Sequence, residues 1–156
     1  MENKKIKICF AASSGGHLEE ISQLSELTVD RDYFLITEKS DFYESSFSKN
    51  IYYVNQINRR QITFVFGFIH NFISCYKIIK KEKADCVITT GAMTGYAAAL
   101  AGKLAGTKLI YIESFARVGT ASLTGKLIYP IADLFIVQWR EGLDFFPKAV
   151  YGGTIF

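Results

Sequence analysis

Short runs rich in β-branched and aromatic residues recur at 6–12, 33–37, 51–54, 86–90, 109–112 and 134–137, with longer segments between them. That alternation constrains the fold more than any other feature. Strands joined by crossover-length segments pair in parallel, and a parallel sheet needs helices against its faces. Several runs are apolar throughout, as strands covered on both sides are. The pattern predicts an α/β, Rossmann-like three-layer sandwich with a mainly parallel sheet. A length of 156 residues suits one domain and buries a sizeable core. With 49% hydrophobic and 21% charged residues, and no Pro-, Ser- or Gln-rich tract, nothing beyond a few terminal residues reads as disordered. No solenoid-length repeat or linker divides 1–156, which is read as one unit.

The first strand closes on Ser13-Ser14-Gly15-Gly16-His17 and opens a helix whose core stripe is predicted at Leu18, Ile21, Leu24 and Leu27. Glycines there allow positive φ and close approach of a ligand, and a helix start favours anions. His17 on the first turn either points at what docks or is a solvated capping side chain. The fourth strand ends in Thr89-Thr90-Gly91-Ala92-Met93-Thr94-Gly95, followed by a helix of small residues that packs close to the sheet and stops at Gly106. In the strand order 3-2-1-4-5-6 the first and fourth strands are neighbours where the winding reverses, so both loops face one crevice. Ser13, Ser14, Gly15, Gly16, Thr90, Gly91, Thr94 and Gly95 are therefore candidate phosphate-binding positions. The fifth strand ends in Tyr111-Ile112-Glu113-Ser114-Phe115-Ala116-Arg117, which adds Glu113, Ser114 and Arg117 at the same end of the sheet. A local Glu113–Arg117 surface ion pair is the plainer alternative.

Several classes are excluded. The loops lack G-x-G-x-x-G and Walker A spacing, which argues against NAD, FAD and P-loop chemistry. No H-E-x-x-H or paired Cys/His spacing suggests a metal, and His70 sits alone between apolar residues, so a structural or interfacial role fits it best. A net charge of +3 is too mild to imply nucleic acid. Cys9, Cys75 and Cys86 show no CxxC spacing and read as reduced, mostly buried thiols of a cytosolic protein. The Met-Glu-Asn-Lys-Lys start has no apolar h-region, which argues against secretion.

Residues 58–83 combine Arg59 and Arg60, an uncharged stretch from Gln61 to Tyr76, and then Lys77, Lys80, Lys81 and Lys83. The stretch is shorter than the roughly 20 apolar residues of a spanning helix and is interrupted by polar side chains. On a helix, Ile62, Val65, Phe66, Ile69, Ile73 and Tyr76 form a predicted core stripe. Phe64, Phe68 and Phe72 form a second row, displaced from it. A helix apolar on nearly all sides must bury both. The second row meets either the rest of the core or an anionic membrane surface favoured by the flanking Arg and Lys.

Taken together, Ser13-Ser14-Gly15-Gly16-His17-Leu18, Thr90-Gly91, 110–118 and 132–139 resemble the acceptor-side subunit of two-component, lipid-linked glycosyltransferases. That family includes the membrane-recruiting subunit of the eukaryotic dolichol-linked N-acetylglucosamine transferase and bacterial capsule or exopolysaccharide proteins that enhance a β-1,4-galactosyltransferase. The Ile-Glu-Ser-Phe-Ala-Arg stretch is the specific part; Gly-Gly-His also matches the peptidoglycan N-acetylglucosaminyltransferase. The resemblance implies the N-terminal half of a GT-B transferase, inactive alone, which binds an undecaprenyl-diphosphate-linked saccharide at the inner face of the plasma membrane. A separate nucleotide-sugar-binding subunit would hold the UDP-sugar, and no cofactor would bind this chain alone. It further implies His17 or Glu113 as the base, and a partner-contacting region including Trp139, Tyr151, Gly152, Gly153 and Phe156. The eukaryotic subunit's N-terminal anchor has no counterpart before the first strand, which places the membrane contact on the Phe64, Phe68 and Phe72 helix. A non-catalytic tether that only stimulates its partner is the alternative.

Overall fold

The computed structural model describes residues 5–39, 47–57 and 62–156, and among them seven strands form one sheet in which every pairing is parallel. These are β1 (Lys7–Ala11), β2 (Asp32–Glu38), β3 (Ile51–Val54), β4 (Cys86–Thr89), β5 (Lys108–Ile112), β6 (Leu134–Val137) and β7 (Val150–Tyr151), in the order β3-β2-β1-β4-β5-β6-β7. The winding reverses between β1 and β4, where the two glycine loops emerge. All the predicted strands are present, with ends shifted by a residue or so. The edge strand β7 adds two residues, too few to carry a sequence pattern.

The helices are α1 (Gly16–Ser22), α2 (Phe64–Glu82), α3 (Ala92–Ala105), α4 (Leu123–Ile128) and α5 (Gly142–Phe145). One face of the sheet packs Cys9, Phe34, Val87, Leu109, Tyr111 and Phe135 against α3's alanines and residues of α2, α4 and α5. Helix α3 lies very close to its strands. A Cβ on Gly95 would sit 2.2 Å from Thr89 Oγ1, and one on Gly102 2.6 Å from Val87 Cγ2. Gly106 ends α3 with φ 87°, as its position predicts.

On the other face Leu18, Ile21 and Leu24 pack on Ile8, Phe10, Leu35 and Ile88. Beyond Ser22 the chain tightens into a 3₁₀ segment, Gln23–Thr28. The tighter turn breaks the predicted stripe, so Leu24 is buried while Leu27 is 37% exposed.

Helix α2 corrects the sequence reading, because its two apolar rows are exchanged save for Tyr76, which lies inward as predicted. Phe68, Phe72 and Tyr76 pack against the core beside buried Asn71, Cys75 and Ile79. Ile62 (101% exposed), Val65, Phe66 (77%), Ile69 and Ile73 face outward. The cause is polar. Asn71 is fully buried, its Nδ2 donates to Asn55 O (2.7 Å), and its Oδ1 accepts from Asn55 N (3.2 Å). A buried amide needs such partners, and meeting them at the end of β3 sets the helix's rotation. Phe68 then stacks on Tyr96 of α3, with centroids 5.5 Å apart.

Asp133, just before β6, accepts from Lys103 Nζ (2.9 Å), Leu109 N (2.8 Å) and Lys108 Nζ (3.2 Å). The Lys103 bond, then the Leu109 amide, hold its carboxyl well below the ordinary range. A lowered folded-state pKa stabilises above the unfolded value, about 3.9, and that stability is lost as pH falls toward the folded pKa. Urea unfolding at pH 7 and pH 3 should therefore show a smaller acid-induced loss in Asp133→Asn than in the native chain. At neutral pH, Gly102→Ala should cost about 1–3 kcal/mol by overpacking, while Leu104→Ala on the exposed side of α3 should stay within about 0.5 kcal/mol.

Candidate functional site

The two glycine loops are bonded to each other. Ser13 Oγ donates to Glu38 Oε1 (2.9 Å) and Thr94 Oγ1 donates to the same atom (2.6 Å). Thr90 Oγ1 donates to the carbonyl of His17 (3.1 Å). Gly15 (φ 89°) and Gly91 (φ 111°) occupy backbone regions that side chains disfavour, and Ala92 follows Gly91 at φ 57°. Ser14 is half-buried, Gly16 is exposed with open space at its Cα, and Gly95 lies buried against Thr89. Glu38, buried at the end of β2, organises both loops and is not among the residues picked out by motif.

Glu113 lies beneath the loop after β5 and is only 3% exposed. Its carboxylate accepts from Tyr111 OH (3.3 Å), Ser114 N (3.1 Å), Ser122 N (3.3 Å) and Ser122 Oγ (3.0 Å). Its backbone carbonyl accepts from Gln138 Nε2 (3.0 Å). Burial, then the adjacent Glu113 charge, push the Tyr111 phenol far above its ordinary value and keep it a donor. No Glu113–Arg117 ion pair forms among the described residues: the carboxylate is spent inward, while Arg117 is exposed.

His17 has a partner that motif reading missed, three residues on. Its Nδ1 lies 3.4 Å from Glu20 Oε2. Glu20 Oε1 accepts from Ser114 Oγ (2.7 Å) and Phe115 N (3.0 Å), which ties α1 to the loop after β5. Burial raises the Glu20 carboxyl, but His17 and Ser114 outweigh it and hold it below the ordinary range. The i, i+3 spacing of His17 and Glu20 is the available sequence signal.

These side chains surround a polar cavity of about 530 Å³ lined by His17, Ala92, Ser114, Arg117, Ser122 and Thr124, among others. Beside it runs an apolar groove of about 370 Å³ formed by Phe64, Phe68, Met93, Tyr96, Leu123 and Leu127. Leu123 and Thr124 line both, so the groove adjoins the cavity. Phe64 and Phe68 thus form groove wall and Phe72 packs on the core, instead of presenting an outer row. The outward face of α2 passes from Phe66, Ile69 and Ile73 to exposed Lys77, Lys80 and Lys81. His70 is exposed on the same helix, and Arg59 and Arg60 lie outside the described residues. No described helix is long and apolar enough to cross a membrane.

A second apolar cleft, about 520 Å³, opens on the opposite sheet face between Leu24, Leu27, Ile88, Ile110, Ile136 and Ile155. Besides strand residues, the 3₁₀ segment and the C-terminal tail line it. Ile155 N donates to Gln138 Oε1 (2.9 Å), and Phe156 packs on this core. Tyr151 is exposed with the Arg140 guanidinium 4.7 Å from its ring centre, Gly152 N donates to Val137 O (3.0 Å), and Gly153 has φ 71°. Trp139 is engaged within the chain: its Nε1 donates to Phe115 O (2.8 Å).

The family model described as "Oligosaccharide biosynthesis protein Alg14 like" matches residues 8–155. A human protein named UDP-N-acetylglucosamine transferase subunit ALG14 is 27% identical over 182 residues, covering 97% of this chain and 84% of that protein. Among solved structures, MurG of Acinetobacter baumannii superposes with TM-score 0.71 at 16% identity, covering 96% of this chain and 44% of MurG. A UDP-N-acetylglucosamine 2-epimerase of Rickettsia bellii gives TM-score 0.72 at 14% identity, covering 92% and 41%. At such identities the likeness shows the fold, a Rossmann-like sheet, and the chain spans less than half the length of these solved structures.

Replacing Glu113 by Ala removes the acceptor that the Tyr111 and Ser122 hydroxyls share and leaves them only each other, 3.2 Å apart. Hydrogen bonds to a buried charge are worth about 1.5–3 kcal/mol each, so urea unfolding of Glu113→Ala should show a loss of about 3 kcal/mol, and Glu113→Gln, which keeps an acceptor oxygen, a smaller one.

Proposed function

We propose, because the chain belongs to the Alg14-like family of oligosaccharide biosynthesis proteins, that it is the acceptor-presenting subunit of a two-chain, inverting glycosyltransferase at a membrane surface. One observation carries the reading: a polar cavity adjoins an apolar groove beside an exposed apolar helix face. That arrangement suits a polyprenyl-diphosphate-linked saccharide. Its diphosphate lies near Arg117 and the N-terminal end of α3, where the helix dipole favours anions. Its first isoprenoid units lie against Phe64, Phe68, Met93, Tyr96 and Leu127. The outward face of α2 rests in the bilayer interface, with Lys77, Lys80 and Lys81 toward anionic headgroups.

The UDP-sugar belongs to the partner. The relatives' names support UDP-N-acetylglucosamine as that donor, whereas the capsule or exopolysaccharide setting rests on sequence resemblance alone. The partner covers the open sheet face around Ile110, Ile136 and Ile155, because apolar sheet surface left in water is costly. In the reaction the acceptor hydroxyl attacks the anomeric carbon opposite UDP, whose bond breaks as UDP leaves with the electron pair. The hydroxyl proton passes to the His17 imidazole. Glu113, buried and holding four donated bonds, shapes the loop that carries Ser114 and Arg117.

The exposed face of α2 also suits the second reading, a tether that only brings a competent partner to the membrane. A reconstituted pair with a synthetic polyprenyl-diphosphate saccharide separates the two. His17→Ala should lower transfer about 10²–10⁴-fold while copurification with the partner and vesicle binding persist; unchanged transfer would leave only the tether. Phe66→Asp with Ile69→Asp should abolish retention on anionic vesicles yet spare transfer to a short-chain acceptor in detergent.

A further inference from the structure

We infer that Glu20 is a positioning residue that keeps the neutral ring of His17 protonated on Nδ1, so that the lone pair of Nε2 faces the cavity. The inference rests on the reading of His17 as the base and adds how that base is prepared. Glu20 Oε1 is taken by Ser114 Oγ and Phe115 N, which leaves Oε2 to meet His17 Nδ1 at 3.4 Å. Both of those atoms are buried, and at 3.4 Å neither completes a hydrogen bond with the other or with any other group. A carboxylate only accepts. A lone pair on Nδ1 would face the lone pairs of Oε2 and repel them, whereas a proton on Nδ1 turns the same contact attractive.

The remaining geometry fits. With Nδ1 buried and a third of the side chain exposed, the accessible edge of the ring carries Nε2, and His17 lines the cavity. The Thr90 hydroxyl holds the backbone carbonyl of His17, and the loop after β5 holds the Glu20 carboxylate, so the carboxylate is fixed beside the ring. A base must offer a lone pair where the acceptor hydroxyl arrives, and a third group commonly sets that orientation. An unconstrained histidine favours the opposite tautomer, with its proton on Nε2, so the carboxylate has a definite effect to exert.

Long-range ¹H–¹⁵N spectra of the labelled full chain at pH 8 read the tautomer directly, and His70→Gln leaves His17 as the sole signal, since the chain has 2 histidines. The expected result is the Nδ1–H pattern in this background. Adding Glu20→Gln should reverse it to Nε2–H: the amide keeps an oxygen for Ser114 and Phe115 and turns its NH₂ toward Nδ1. In the reconstituted pair, Glu20→Gln should lower kcat by more than about tenfold with KM unchanged. An Nε2–H pattern in the native Glu20 background, or no change with Glu20→Gln, would overturn the inference. The spectra need neither partner nor substrate, so they fail separately from the base reading, which falls instead if His17→Ala transfers normally.

Discussion

The site depends on how closely α3 lies against β4. Gly95 and Gly102 remove the side chains that would hold the helix off the sheet, and a Cβ at either would come within 2.6 Å of a strand side chain. That approach brings the start of α3 against the loop after β1. Ser13 and Thr94 then share one oxygen of Glu38, and Thr90 reaches the carbonyl of His17. Two turns that would otherwise be separate loops become one polar floor. Buried polar networks hold a unique arrangement when every member is satisfied, and this one nearly is.

Among the described residues, two apolar surfaces besides the groove remain open, for different reasons. The first belongs to α2. Asn71 must satisfy its amide at Asn55, and that requirement rotates Phe66, Ile69 and Ile73 away from the core. The second belongs to the sheet, whose α1 face carries too little helix to reach β5 and β6 among the described residues. In the proposed reading a membrane takes the first and a second protein the other, and the polar cavity lies beside the first.

Much of the architecture was legible in the sequence. Strand runs, the close helix of small residues and its Gly106 stop follow from local composition and periodicity, while the reversal between β1 and β4 follows from the strand order that the fold class implies. The orientation of α2 was not. Its two apolar rows have the same helical spacing, and the choice between them was made by one buried amide contacting a distant strand end. Leu27 was misplaced because the helix narrows into a 3₁₀ turn that hydrophobic spacing does not announce. At the site, motif spacing located His17, Ser114 and Arg117 at one cavity, and showed Glu113 but not its burial. Glu38 and Glu20 were missed because their meaning lies in partners far along the chain, Thr94 and Ser114, which only the folded sheet brings near.

The central claim is that one amphiphile is held head-in-cavity and tail-in-groove. Photo-crosslinking tests it most directly, with a polyprenyl-diphosphate saccharide carrying a diazirine on its first isoprenoid units and the adducts mapped by mass spectrometry. The account predicts adducts on Phe64, Phe68, Met93, Tyr96, Leu123 or Leu127, competed away by unlabelled acceptor. Adducts confined to the opposite sheet face around Ile110 and Ile136, or spread without competition, would contradict it.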